Sequence, residues 1–322
     1  MKAIQIHATG GLEVVQLVEV PTPAPAPGQV LVKIAAIGVN YIENYHRDGR
    51  YPVPLPFTLG MEASGTVAAL GEGVTGFAID DRVVSAAFLG AYAEYALVPA
   101  AQLIAVPPAV DLRLAAAVFL QGLTAHYLAF STFPLQPGQT ALIHAAAGGV
   151  GLLLTQIAHR LGARVLATVS TPEKAALARA AGADEVILYT QSDFVAETRR
   201  LTDGRGVDVV YDSVGKTTFS GSLDCLRPRG LLALFGASSG AVPPLDLIEL
   251  SRKGSLFVTR PTLGHYTLTR AELESRAAEI LDWTADGSLR VRMEHTYPLA
   301  EARQALLDIT SRRTTGKLLL LP

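Results

Sequence analysis

A glycine-rich turn between an apolar run and an amphipathic segment constrains the fold of this chain more than any other feature. The apolar run at 140–144 leads into Ala-Ala-Ala-Gly-Gly-Val-Gly at 145–151, and apolar residues recur with helical spacing over 150–161. This order predicts a strand, a tight turn and a helix. Gly148 and Gly149 let the backbone approach a pyrophosphate closely, and the N-terminal end of a helix favours the phosphate charge. The segment therefore predicts a dinucleotide-binding site.

The turn departs from the usual G-x-G-x-x-G pattern. Ala146 stands in place of the first glycine, whereas Gly148 and Gly151 occupy the other two positions. Alanine is small enough for a tight turn, and Gly151 allows the helix to pack closely on the strand. A glycine-rich turn in another kind of α/β domain remains the alternative.

The second predicted strand, at 164–170, indicates which dinucleotide is bound. An NAD site usually carries an acidic residue about 20 residues after the glycines, where it binds the adenosine ribose hydroxyls. No acidic residue occurs over 152–172, and the strand ends in Ser170 and Thr171, with Lys174 in the next helix. Hydroxyls and an ammonium group attract a 2′-phosphate that a carboxylate would repel. The sequence predicts NADPH, although a lysine here is also compatible with an ordinary solvated helix.

The composition is that of a folded protein without a strong charge bias. The 322 residues suggest two domains, and a net charge of −2 gives no general attraction to nucleic acid or to an anionic membrane. Cys225 is the single cysteine, so no intrachain disulfide can form, and a cytoplasmic location is expected.

Residues 1–11 lack the apolar core of a signal peptide. The segment 114–159 has no charged side chain, but Gly and Pro interrupt it, so buried elements are expected and not a membrane span.

The pattern of apolar residues changes near position 123. Before it, short alternating runs separated by Pro and Gly predict strands at 2–7, 12–20, 30–39, 63–70, 82–87 and 92–98. After it, strands are predicted near 140–144, 164–169, 185–189, 207–211, 230–235 and 255–260, with helices at 149–161, 172–181, 193–202 and 216–226 between them. This alternation predicts an α/β fold with a doubly wound parallel sheet. Helices near 270–286 and 299–311 follow, and the run 318–321 is predicted to be a strand that returns to the first domain.

In these segments the chain resembles the medium-chain dehydrogenases/reductases, and most closely their zinc-free NADPH:quinone oxidoreductases, the group that includes zeta-crystallin. The resemblance covers essentially the full length and is carried by 36–45, 59–65, 73–84, 119–124, 144–151, 211–215, 235–240 and 254–261. It implies a β-rich GroES-like catalytic domain at 1–122 and 262–322, and a Rossmann domain at 123–261. It also implies NADPH as cofactor, a quinone or enone as acceptor, and a homodimer that pairs through the edge strand near 255–260.

Metal-assisted chemistry is not expected from these residues. The zinc alcohol dehydrogenases of the same superfamily need Cys and His ligands in a tetrahedral array. Met61 stands where their Gly-His-Glu motif has its His, and one cysteine cannot build either of their zinc sites. Without a Lewis acid the acceptor must already be electrophilic, as quinones and α,β-unsaturated carbonyls are.

The resemblance also implies which residues form the site. Asn40, Tyr45 and Tyr51 match the residues near the nicotinamide and the acceptor; the tyrosines offer flat faces for a planar quinone, although ordinary packing is the alternative. The family often has Asp in the Asn-x-x-Asp pattern, where this chain has Glu43. The positions that match cofactor contacts are Thr124, Gly148, Gly149, Val150, Ser170, Lys174, Tyr189, Phe235, Ser238, Arg312 and Lys317.

Three other functions fit parts of the sequence. An NADPH-dependent 2-alkenal or enoyl reductase would use the same fold, with Tyr51 or Tyr45 as proton donor. The segment 236–240 matches the G-x-S-x-G pattern of serine hydrolases, but the following Ala-Val-Pro-Pro does not begin a helix as that motif requires. The third is an RNA-binding or structural role, with which zeta-crystallin-like proteins are associated. The sequence has no basic stripe with interleaved aromatic residues, which nucleic-acid binding favours, so no nucleic-acid partner is expected.

Overall fold

A computed structural model describes all 322 residues of the chain. The chain forms two compact units, one made of Met1–Leu123 with Thr269–Pro322 and the other of Thr124–Leu268. The predicted boundaries at 122/123 and 261/262 lie beside these, with residues 262–268 in the second unit.

Strands dominate the first 110 residues, and strands and helices alternate along the chain from Thr140 to Thr259. The strands are β1 (Lys2–Ile6), β2 (Gln16–Glu19), β3 (Gln29–Val39), β4 (Phe57–Thr58), β5 (Glu62–Leu70), β6 (Arg82–Ser85), β7 (Tyr95–Pro99), β8 (Ile104–Ala105), β9 (Thr140–Ile143), β10 (Arg164–Val169), β11 (Glu185–Leu188), β12 (Val207–Asp212), β13 (Leu226–Leu234), β14 (Phe257–Thr259), β15 (Met293–Pro298) and β16 (Lys317–Leu321). The helices are α1 (Tyr41–Arg47), α2 (Leu112–Tyr127), α3 (Gly149–Arg160), α4 (Pro172–Ala180), α5 (Phe194–Leu201), α6 (Phe219–Cys225), α7 (Ile248–Arg252), α8 (Arg270–Ala285) and α9 (Ala302–Thr310).

The second unit is built on one parallel sheet of six strands. Their order is β11-β10-β9-β12-β13-β14, and every neighbouring pair is parallel. This is the doubly wound order, in which the chain direction across the sheet reverses between β9 and β12. Because crossovers between parallel strands are right-handed, helices cover both faces, and the central strands β9, β10 and β12 are almost entirely buried. The predicted doubly wound α/β fold is confirmed.

The first unit is mainly antiparallel sheet. A seven-stranded sheet has the order β15-β16-β3-β5-β6-β8, with β7 also paired to β3, and a small sheet has the order β2-β1-β4. The long strand β3 is central because it pairs with β5, β7 and β16. The C-terminal strand β16 therefore returns to the first unit, as predicted, where Leu318 lies opposite Val39.

The uncharged segment forms core structure. The only helix long and apolar enough to cross a membrane, by length and composition alone, is Leu112–Thr132, in which α2 continues into a π-helical turn. Within its most apolar window, 78% is buried inside the protein, as is usual for the core helix of a globular fold.

Several local boundaries differ from the sequence prediction. The predicted strand at 12–20 begins with a 3-10 turn, Leu12–Val14, and only then becomes β2. The predicted helix at 216–226 begins only at Phe219, because residues 213–218 form a loop tied to the end of β12. The short helices α1 and α7 were not predicted, since each covers at most seven residues and shows little periodicity.

Candidate functional site

The glycine-rich turn has the geometry that close approach to a phosphate requires. Strand β9 ends at Ile143, Ala145 takes a left-handed φ of 50°, and α3 begins after Gly148 at its N-cap. A Cβ at Gly151 would lie 2.4 Å from the carbonyl oxygen of Ala145, so only glycine allows the helix to sit against the turn. The first N–H groups of α3 have no partner within the helix and carry its positive dipole end. The turn can therefore bind an anion.

A buried polar network lies directly beneath this turn. The Nδ1 atom of His144 is 2.8 Å from the Thr168 hydroxyl, and its Nε2 is 3.1 Å from that of Ser222. The Ser222 hydroxyl donates to Asp212 at 3.0 Å. Since that hydroxyl already donates to a carboxylate, it accepts from Nε2–H, and Nδ1 accepts from Thr168. Burial lowers the pKa of His144, which keeps the ring neutral in this chain of hydrogen bonds.

Asp212 ties the next loop to the same network. Its Oδ1 accepts from the backbone N–H groups of Val214 (2.7 Å) and Gly215 (3.0 Å). Its Oδ2 also accepts from the Thr218 hydroxyl at 2.7 Å. The network thus joins the carboxyl ends of β9, β10 and β12, where doubly wound sheets bind their ligands. Sequence reasoning did not identify it, although three polar side chains at the ends of apolar strands are a readable signal.

The predicted 2′-phosphate residues follow β10 and β11. Ser170 comes directly after β10, and the half-buried Lys174 lies in the first turn of α4, whose N-cap is Thr171. Tyr189 follows β11 and is exposed. The nearest acidic side chain is Glu173, whose pKa is lowered by its hydrogen bond with the Thr171 hydroxyl. Ser170, Lys174 and Tyr189 are therefore at the same edge of the sheet as the glycine turn.

The remaining predicted cofactor residues lie in different surroundings. Thr124 is buried in α2, and Phe235 and Ser238 follow β13. Phe235 N–H donates to the carbonyl of Asp212 at 2.9 Å, so this loop also reaches the carboxyl edge of the sheet. Arg312 belongs to the first unit, where it is exposed after α9 with a left-handed φ of 62°.

Asn40, which is predicted to lie near the nicotinamide and the acceptor, lies between β3 and α1 as the N-cap of α1. Its side chain is buried, with Nδ2 donating to Glu62 at 2.9 Å and to the Gly38 carbonyl at 3.2 Å. Its Oδ1 accepts from Lys317 at 2.8 Å. Both amide hydrogens are therefore used within the protein, and Oδ1, which accepts from Lys317, also takes part in a capping box with the backbone N–H of Glu43.

Lys317 has a different environment from the one that sequence predicted. Its side chain is 0% exposed and forms an ion pair with Glu62, with 2.6 Å between Nζ and Oε2. The residue predicted as a direct cofactor contact is thus an interior group that contacts Asn40. Glu62 was not predicted as part of the site, although a carboxylate and a lysine within apolar strands both indicate an interior polar pair.

Aromatic rings cluster around α1. The ring centroids of Tyr45 and Tyr51 are 5.2 Å apart in an edge-on arrangement, and Tyr41 lies 5.8 Å from Tyr45. The guanidinium of Arg50 lies 4.4 Å from the Tyr45 ring centroid, a cation–π distance, and also pairs with Asp48. Tyr45 is buried and Tyr51 is 42% exposed, so the cluster has one solvent-facing ring. Such a group can contact a planar, electron-poor molecule.

Metal-ligating side chains do not converge anywhere in the chain. No group of three or more His, Cys, Asp and Glu side chains is arranged to hold a metal ion. The single cysteine, Cys225, is buried in the second unit. The G-x-S-x-G segment at 236–240 is followed by no helix until Ile248, so the turn of a serine hydrolase is absent.

Comparison with known proteins agrees with this arrangement. The family model described as an alcohol dehydrogenase GroES-like domain matches residues 26–108, and that described as a zinc-binding dehydrogenase matches 149–283. A quinone oxidoreductase of Pseudomonas aeruginosa is 47% identical over 100% of this chain and 99% of its own length. A 2-haloacrylate reductase of a Burkholderia species is 44% identical over 99% and 98%. The crystal structure of Escherichia coli quinone oxidoreductase complexed with NADPH superposes with a TM-score of 0.98 at 44% identity and covers 100% of both chains.

Proposed function

Because the chain belongs to the quinone oxidoreductases of the medium-chain dehydrogenase/reductase superfamily, we propose that it reduces quinones by hydride transfer from NADPH. The observation that carries the proposal is the glycine turn at the carboxyl end of β9, supported by the His144 network and flanked by Ser170 and Lys174. The dinucleotide-binding role is assigned to residues 123–261 and the acceptor-binding role to 1–122 and 262–322.

The cofactor residues act mainly through backbone and charge. Gly148, Gly149 and Val150 offer N–H groups to the pyrophosphate at the start of α3, where the helix dipole favours its charge. We assign the 2′-phosphate to Ser170, Lys174, Tyr189 and Arg312, since hydroxyls and cations stabilise a phosphate dianion and no carboxylate ends β10. Thr124, Phe235 and Ser238 are proposed to line the rest of the cofactor path.

The acceptor-side residues orient the two partners. NADPH, when bound, supplies the hydride, and the quinone takes up this hydride and a proton to become the hydroquinone. Asn40 has no free amide hydrogen, so it acts toward a ribose hydroxyl only as an acceptor and does not donate to the quinone oxygen. Tyr45 and Tyr51 contact the flat face of the quinone. Holding the reacting atoms in this way lowers the entropic part of the barrier.

We propose that the reaction needs no metal. Met61 replaces a histidine ligand, and the neighbouring Glu62 has its Oε2 engaged by an ammonium group from Lys317. A thioether and an already paired carboxylate make a poor zinc site. An acceptor that is electrophilic in itself fits this chemistry.

The second candidate is reduction of an activated double bond, favoured by the 2-haloacrylate reductase among the relatives. The guanidinium of Arg50 lies over the Tyr45 ring and is paired with Asp48, so it offers its remaining N–H donors, and no net charge, to a carboxylate-bearing enone. The chain is proposed to act in the cytoplasm as a homodimer, with edge strand β14 and its exposed Phe257 at the interface. Sedimentation equilibrium that gives a monomer at micromolar concentration would refute the dimer.

The function is tested by NADPH oxidation with purified protein. An ortho-quinone, a 2-alkenal and a halogenated acrylate are compared as acceptors, with NADH as the control cofactor. Fast turnover of the quinone with NADPH is expected. Turnover of the alkenal or acrylate alone would move the function to double-bond reduction, and equal rates with NADH would refute the cofactor assignment.

A further inference from the structure

A buried ion pair is brought to Asn40 by the three adjacent strands β5, β3 and β16. In the sheet register, Glu62 lies opposite Gly38 and Leu318 lies opposite Val39, which sets Lys317 across from Asn40. The side chains of Glu62 and Lys317 are both 0% exposed. The pair therefore lies inside the first unit and not on its surface.

This pair dictates the orientation of the Asn40 amide. Lysine can only donate hydrogen bonds, and a carboxylate can only accept them. Lys317 donates to Oδ1 at 2.8 Å, and Glu62 accepts from Nδ2 at 2.9 Å. A flipped amide would set its NH₂ group against the ammonium and its oxygen against the carboxylate. Only one orientation is therefore compatible with the pair.

A hydrogen bond from α2 and a glycine in β3 also hold the ion pair in place. The second oxygen of Glu62, Oε1, accepts from the backbone N–H of Leu120 in α2 at 2.6 Å. A Cβ at Gly38 would lie 2.1 Å from Glu62 Oε2 and 2.9 Å from Lys317 Cε, so glycine at this strand position leaves the space that the pair occupies. The carboxylate is thus held from β3, β16 and α2 at once.

Stability alone does not account for this arrangement. Removing two charges from water is costly, and apolar side chains of similar volume often stabilise a core as well or better. We infer that Glu62 and Lys317 are positioning residues, which hold the Asn40 amide in the single orientation in which it contacts the cofactor. The inference rests on the proposed NADPH-dependent function, because Asn40 is the residue through which the pair acts.

The test removes an acceptor from the pair. Glu62→Gln leaves one acceptor oxygen for three donors, the Leu120 N–H group, Lys317 and Asn40, so a carboxylate no longer holds the Asn40 amide. We expect the dissociation constant of the Glu62→Gln variant for NADPH, measured by fluorescence titration, to rise roughly fivefold. This is the effect of losing one net hydrogen bond.

A control separates positioning from stability. Glu294→Gln breaks the ion pair that Glu294, on β15, forms with Arg292; this pair does not contact Asn40, so thermal stability falls while NADPH binding stays the same. If Glu62→Gln does not fold, the variant Glu62→Gln with Lys317→Met replaces it, because it removes both charges and leaves the amide without a fixed orientation.

The outcomes differ for the inference and for the function. Unchanged NADPH binding in folded Glu62→Gln overturns the positioning role while the proposed function stands. An unaltered chain that does not bind NADPH refutes the proposed function, and the positioning role with it.

Discussion

Glu43 is expected to make the stability of this protein depend on pH near neutrality. Its side chain is 0% exposed, Oε2 accepts from the backbone N–H of Asn40 at 2.8 Å, and Oε1 has no hydrogen-bond partner. Burial raises the pKa of this carboxyl from its ordinary value of 4.5 to about 8, against the smaller opposing effect of its hydrogen bonds and of Lys317. At pH 7 the folded chain therefore holds a proton on Glu43.

The sign of the effect follows from proton binding. An unfolded chain with the ordinary pKa of 4.5 has lost this proton by pH 6, whereas the folded chain retains it until about pH 8. The folded state binds more protons in this window, so the free energy of unfolding falls as pH rises. At 1.36 kcal/mol per pKa unit, the loss between pH 6 and pH 8 is about 2 kcal/mol. Glu43→Gln, which is permanently neutral, removes this loss.

The assay compares the two proteins across that range. In thermal unfolding, the Tm of Glu43→Gln minus the Tm of the unaltered chain should increase by roughly 4–8 °C between pH 6 and pH 8, for a unit of this size. Glu272→Gln is the matched control, because Glu272 occupies the same capping-box position at the start of α8 but is exposed. Parallel pH curves for Glu43→Gln and the unaltered chain would refute the argument.

Two other substitutions test the two halves of the site. Gly38→Ala forces a Cβ against the Glu62 carboxylate and should lower the free energy of unfolding, measured in urea, by about 1–3 kcal/mol. Gly264→Ala is the control, because a Cβ there meets only open space and should leave this free energy unchanged. Equal effects of the two substitutions would contradict the packing around Gly38. Lys174→Ala should raise the KM for NADPH far more than that for NADH, by roughly tenfold for a lost charge-assisted hydrogen bond, and equal changes would remove its 2′-phosphate role.

The dinucleotide-binding sheet was predictable because its signals are local. Strand β9, the turn and α3 follow one another without interruption, so apolar periodicity and a glycine cluster are enough to identify them. The missing acidic residue after β10 is equally local. The predicted helix at 216–226 was too long because the loop before Phe219 is tied by its backbone N–H groups to Asp212, a contact that no periodicity reveals.

The interior pair was not predictable because its partners are far apart in sequence. Lys317 is separated by 255 residues from Glu62 and by 277 from Asn40. Only the sheet register brings them together, and a lysine before four leucines was interpreted as a cofactor contact. Helix α1 had a readable signal in Asn40-Tyr-Ile-Glu43, the spacing of a capping box, but seven residues give too little periodicity to support a helix.

The two halves of the proposed site differ in what makes them specific. The proposed phosphate end consists of backbone N–H groups and a buried network in which the His144 ring is neutral, so most of its chemistry does not depend on side chains that face the ligand. The acceptor end uses the tyrosines and Arg50 around α1, where a single substitution changes shape and charge together. Relatives at 44–47% identity can therefore differ in acceptor, as the names quinone oxidoreductase and 2-haloacrylate reductase indicate. A change of acceptor preference is accordingly expected from substitutions at Tyr51 and Arg50, with the cofactor preference left intact.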